Sequence, residues 1–154
     1  MAHKETIQNN ELKASMPSAN HIYTVSTNVG YGYKNKTEDV RLVQFFLNAC
    51  MEIIGEDWRN KPDNLVRDGI FGGKTWGAIK SFQKASMSAV VDGMVSPTDG
   101  ERMYTPKHRM VYTMNLLNWY YFLGRSEFFH DIRTDPTLPG ELREYLSSPL
   151  PNLL

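Results

Sequence analysis

Residues 66–83 read VRDGIFGGKTWGAIKSFQ, and residues 91–103 read VDGMVSPTDGERM. In both stretches an Asp-Gly pair is followed by two apolar residues and then by a helix-starting signal. Asp-Gly makes a tight turn, because glycine accepts positive φ and the Asp carboxylate bonds nearby backbone N–H groups. After Asp68-Gly69, the bulky Ile70 and Phe71 are expected to tuck the turn onto the core, and Gly72 or Gly73 lets the chain swing into a helix. After Asp92-Gly93, Met94 and Val95 take the anchoring place. Ser96 as N-cap, Pro97 at N1 and Asp99 at N3 then predict a short second helix. A chain that turns this way twice aims two helix N-termini. Those helices need a common partner to pack on.

Residues 38–54 supply it. Val40, Val43, Leu47, Cys50 and Ile54 recur at three- and four-residue steps, with Leu42, Phe46, Ala49 and Ile53 in a second row. A stripe this broad predicts burial against more than one neighbour. Thr37 is placed to cap the helix, Glu38 and Asp39 suit its positive end, and Gly55 stops it. Ala78, Ile79, Phe82 and Ala85 form the face of the helix that follows the first turn, ending near Ser86. A further helix is predicted from Thr105-Pro106 to Gly124, a short one from Ser126 through EFFHDI, and a last one, GELREYLSS, after Pro139. The prolines of the closing PLPNLL favour an extended tail. Residues 1–20 are polar and aperiodic and read as a flexible N-terminal arm. Residues 21–36 read as an extended segment entering a Gly-Tyr-Gly-Tyr loop.

At 154 residues the chain suits one domain with appendages, and burying roughly 70% of its unfolded surface it holds a core without staples. The 17 basic and 17 acidic residues cancel. That argues against nucleic acid or an anionic membrane as the main partner. Cys50 is the single cysteine, which rules out an intramolecular disulfide. No apolar run is long enough to span a bilayer, and the N-terminus lacks a signal-peptide pattern. The expectation is a protein cytoplasmic as synthesised, reaching the cell wall only if a secretion or phage system delivers it.

Asp39-Val40, Val43-Gln44 and Leu47-Asn48, then Asp68-Gly69, Ile70, Phe71-Gly72, Thr75, Ala78-Ile79 and Phe82-Gln83, stand in an order and spacing that resembles the bacterial peptidoglycan-binding domain family. The second turn, VVDGMVSP, resembles that family's closing Asp-Gly segment. The match covers about residues 28–103; residues 104–154 have no counterpart in the minimal module. The resemblance implies a mainly α fold with a three-helix core and Asp-Gly turns over residues 21–103; to it the helix signals add a helical C-terminal extension over 104–154, packed on the module, and the polar N-terminus adds the arm over 1–20. It also implies a non-catalytic module that binds peptidoglycan through its glycan or stem peptide, with no cofactor.

Most of the motif builds the turn and the core. Ligand contacts are therefore expected beside it, at Arg67, Asp68, Lys74, Trp76, Tyr31 and Tyr33. Trp76 lies off the apolar face, as a stacking platform or a partly buried structural residue. Arg67 and Lys74 are placed to meet stem-peptide carboxylates, or stand as ordinary solvated charge. Tyr31 and Tyr33 sit on a Gly-flexible loop, for binding or for covering the core. No catalytic constellation is visible. His3, His21, His108 and His130 lack paired metal-ligand spacing, and Glu141 with Glu144 reads as a solvated face. Beside the wall-binding reading stands a second, a protein–protein adaptor that keeps the fold and uses residues 104–154 as its interface.

Overall fold

The computed structural model describes residues 2–107 and 109–146. His108, the serines after Leu146 and the PLPNLL tail lie outside the described residues. Among the described residues the fold is mainly helical. In chain order it comprises β1 (His3–Thr6), α1 (Asn10–Ser15), β2 (His21–Thr24), α2 (Thr37–Ile54), α3 (Gly73–Ser86), α4 (Thr113–Gly124), α5 (Ser126–Phe129) and α6 (Gly140–Leu146). None of these helices is long and apolar enough to cross a membrane.

α2 is the hub, as its two apolar rows require. Val40, Leu42, Val43, Phe46, Leu47 and Cys50 are all buried, and α3, α4 and α6 pack around the helix. α4 brings Met114, Leu117 and Tyr121 to it, and the Tyr121 ring meets Phe46 edge-on at 5.3 Å. Each such side chain contributes roughly 1.5–3 kcal/mol on burial. Gly55 ends α2 at φ 60°. Thr37 does not cap it; the N-cap is Lys36 without a side-chain bond. Asp39 turns away from the helix end and accepts from the backbone N–H and hydroxyl of both Ser26 and Thr27, at 2.9–3.2 Å. Burial pushes the Cys50 thiol pKa up, so it is a packing residue rather than a nucleophile.

Residues 2–20 are not a flexible arm. β1 pairs antiparallel with β2, His3 opposite Thr24 and Thr6 opposite His21. Asn9 caps α1 by accepting from Leu12 N at 2.9 Å. Ala2, Ile7, Leu12, Met16 and Ala19 are buried in the common core. Two backbone donors, Gln8 N and Asn9 N, bond the Gly100 carbonyl at 2.7 Å each. The approach is so close that a Cβ on Gly100 would stand 1.6 Å from Thr6 O.

The same contact explains a second correction. No helix follows Ser96-Pro97; residues 97–103 run as irregular chain. Thr98 N donates to Thr24 Oγ1 at 3.0 Å, and Val29 and Val95 form an antiparallel bridge. These long-range partners outcompete the local start signal. The helix expected from Thr105 begins instead at Thr113. Before it the chain reverses: Tyr104 bridges Val111, and Arg109 takes φ 51°.

β2 is buried on both edges. On the side away from β1, Asn118 of α4 accepts from Tyr23 N and donates to Tyr23 O, both at 2.8 Å. A carboxamide carries the donor and acceptor of a peptide group, so it substitutes for a third strand. Asn48 does the same for Leu65, at 2.7 and 2.9 Å, and Asn35 for Gly30, at 2.8 and 2.9 Å. In this way helix and loop amides pin segments that have no sheet to join.

His21, at the start of β2, is 5% exposed, and its Nε2 has no partner among the described residues. Its ring stacks on Phe129 at 5.8 Å. Burial, then the charges of Lys4 and His130, lower its pKa to about 4, against the opposing pull of the Phe129 backbone and Asp131. The unfolded chain therefore takes up a proton that the folded chain refuses. Stability is full above about pH 6.5 and is lost as the pH falls through the folded value. Between pH 7.5 and 4.5 this group should remove about 2–3 kcal/mol. His21→Phe should abolish that part of the pH dependence in urea titrations. Equal pH dependence in parent and variant would contradict it.

Candidate functional site

Each Asp-Gly turn is held by a buried glutamine from the preceding helix. On α2, Gln44 Oε1 accepts from Gly69 N at 2.9 Å, while Nε2 donates to Asp68 Oδ1, Ile70 O and Thr75 Oγ1 at 3.1–3.3 Å. On α3, Gln83 Oε1 accepts from Gly93 N and Asp92 N at 2.9 and 3.1 Å, and Nε2 donates to Asp92 Oδ1, Met94 O and Thr113 Oγ1, each at 3.0 Å. The pattern is the same twice: a helix glutamine, an Asp-Gly turn, and a threonine in the first turn of the next helix. Thr75 lies in the first turn of α3 and Thr113 begins α4, so each glutamine ties its own helix to the start of the one that follows. The duplicated turn thus links α2 to α3 and α3 to α4.

The turns need glycine. Gly69 has φ 74°, and a Cβ there would stand 2.5 Å from Thr37 Cγ2. Gly93 has φ 71°, with Trp76 Nε1 at 2.4 Å from such an atom. Asp68 is occupied by its own turn. The Ile70 N–H bond is the main cause that holds its carboxyl below the usual range, with Gln44 assisting and desolvation opposing.

Ile70 does not anchor the turn to the core. It is 69% exposed, with Val66 at 75% and Tyr31 at 61%. The reason is the glutamine clamp: hydrogen bonds hold the turn, which frees its apolar residue. Tyr31 packs on Phe71 and Trp76 with ring centroids 5.3 and 5.2 Å apart. The Val29–Val95 bridge sets this loop beside the second turn, and Asn35 folds it by bonding Gly30 and the Tyr33 carbonyl. Trp76 is half-buried, its indole edge against Gly93 and Lys80 Nζ over its ring at 4.3 Å. It is thus mainly a bracket between the two turns, and Tyr31 is the open ring.

On the other side of the first turn lies a cleft of about 490 Å³ between α2 and the 61–67 segment. Arg67 lines it and donates to the Thr137 carbonyl. Arg125 lines it too, bonded to Asp135 at 2.9 Å and Glu52 at 2.7 Å. Arg41 reaches the Arg67 and Asp68 carbonyls and pairs with Glu141 at 3.5 Å, which fixes the turn against α6.

Of the six residues expected from sequence, Tyr31 and Trp76 come together. Tyr33 is exposed on the same loop. Lys74 is exposed at the start of α3. Asp68 serves the turn, and Arg67 belongs to the cleft rather than to the aromatic group. Ile70, Lys61 and Arg125 were not anticipated. Compared with protein-family models, curated proteins and solved structures, the chain matches none.

Proposed function

We propose that this chain is a non-catalytic binding module for bacterial cell-wall peptidoglycan, and that it meets the wall through the apolar strip around the first Asp-Gly turn. The observation that carries the reading is the exposure of Tyr31, Ile70 and Val66 around a turn whose backbone is fully clamped. A cluster of exposed apolar groups on a well-held frame is the kind of surface through which proteins contact ligands. A tyrosine ring offers a flat apolar face to the C–H face of a sugar and a hydroxyl to its polar rim. Phe71 and Trp76 fix the Tyr31 ring, so little side-chain freedom is lost on binding. The resemblance to the peptidoglycan-binding family rests on this same turn.

Co-sedimentation with purified sacculi tests it. Parent protein should pellet, and Tyr31→Ala should weaken binding five- to thirtyfold, about 1–2 kcal/mol, with an unchanged melting midpoint. Trp76→Ala is the poorer probe, because it also removes the contact beneath Gly93. Parent protein that stays in the supernatant would sink the reading. For the adaptor through residues 104–154, Met114, Leu117 and Tyr121 face the core, while among the described residues Tyr104 and Leu123 remain exposed. Retention of one protein partner by a chain that ignores sacculi would nevertheless put the adaptor in its place.

A further inference from the structure

We propose that the cleft beside the first turn binds the free carboxylate of a short peptide with small side chains. The proposal rests on the wall-binding reading, which makes that peptide the D-alanine-ended stem of the wall polymer. The cleft's volume of about 490 Å³ falls within the range of small-molecule sites, roughly 300–1,000 Å³. Its exposed lining is mainly polar, with Phe45, Ala49 and Leu65 supplying the apolar part.

The charges in the cleft divide into two kinds. Arg125 pairs with both Asp135 and Glu52, a trio of one net negative charge that serves the fold, so the positive charge of the cleft comes from its other basic residues. Among the described residues, neither Arg67 nor Lys61 has a carboxylate partner. Arg67 is held by the Thr137 carbonyl, which orients a guanidinium without cancelling its charge. An oriented, unneutralised guanidinium is suited to take a carboxylate on its remaining N–H groups. Lys61 adds a second positive charge on the rim.

The placement also suits a glycopeptide. Arg67 of the cleft and Ile70 of the strip are three residues apart, so their Cα atoms lie within about 11 Å. A sugar on Tyr31 and its attached peptide in the cleft would then straddle the same turn.

Calorimetric titration of the intact protein with N-acetyl-D-alanyl-D-alanine tests this. The acid should bind, and its C-terminal amide should bind at least tenfold more weakly. Arg67→Gln and Lys61→Gln should each reduce affinity roughly tenfold, while Lys84→Gln, exposed on α3 and outside the cleft, should leave it unchanged. Circular dichroism melts of the variants should overlay the parent. No binding by the parent, or equal binding of acid and amide, overturns the proposal. Binding of the L,L isomer in place of the D,D isomer overturns the wall stem as the ligand and assigns the cleft to a protein C-terminus. Sedimentation with sacculi by a protein that ignores the dipeptide overturns the cleft alone and leaves the wall reading intact. Dipeptide binding by a protein that stays in the supernatant keeps the carboxylate chemistry and overturns the wall as its source.

Discussion

A chain lacking residues 1–20 should fail to fold cooperatively, rather than lose only a tail. The deletion removes five buried apolar residues, Ala2, Ile7, Leu12, Met16 and Ala19. It strips β1 from β2, which leaves a buried strand with one open edge. It also leaves the Gly100 carbonyl without the two N–H groups that bond it. Burial of the larger side chains alone is worth roughly 1.5–3 kcal/mol each. Together with the lost strand pairing, that approaches the total stability of an ordinary domain, about 5–15 kcal/mol. The truncated protein should show no sigmoidal thermal transition. A transition within a few degrees of the parent's would mean that the N-terminal segment is not part of the core.

Gln44→Ala should cost about 3 kcal/mol, more than most single substitutions that leave the hydrophobic core intact. Gln44 is 1% exposed and makes four bonds to the first turn and to Thr75. Alanine leaves the buried Gly69 N–H without an acceptor, and an unsatisfied buried group costs roughly 1–3 kcal/mol. The melting midpoint should fall by about 6–12 °C for a chain of this size. Gln83→Ala should act alike at the second turn, and the two effects should add where the turns are independent. A Gln44→Ala protein that melts like the parent would contradict the clamp.

The elements most legible in the sequence were those set by local signals. The bounds of α2 and α3 follow from broad apolar stripes and from Gly55 and Gly72-Gly73. Both Asp-Gly turns stand where the dipeptides fall, with the positive φ that glycine permits. The misreadings share one cause, a partner distant in sequence. β1 has only four residues and no alternation strong enough to betray its pairing with β2. α1 is too short, at six residues, to display a helical period. Ser96-Pro97 is a sound start signal, yet Val29 claims the backbone just before it, and Thr24 and the N-terminal segment claim the backbone that follows.

The site was half legible. Tyr31 and Trp76 were expected near the turn and do meet there. What stayed hidden was the division of labour. Sequence shows that Ile70 is apolar, but not that Gln44, a polar residue inside the α2 stripe, takes over the anchoring and leaves Ile70 outside. It shows Arg67 beside Asp68, but not that Thr137, seventy positions away, draws that guanidinium into a separate cleft.

The most direct test of the wall-binding reading uses peptide-free glycan strands, titrated into isotope-labelled protein and followed by amide chemical shifts. Binding through the strip predicts that shifts concentrate in Gly30–Tyr33, Ile70–Trp76 and the Gly93 turn, and that Tyr31→Ala diminishes them. Saturating glycan that leaves those amides unmoved, or moves only those of α5 and α6, would contradict it.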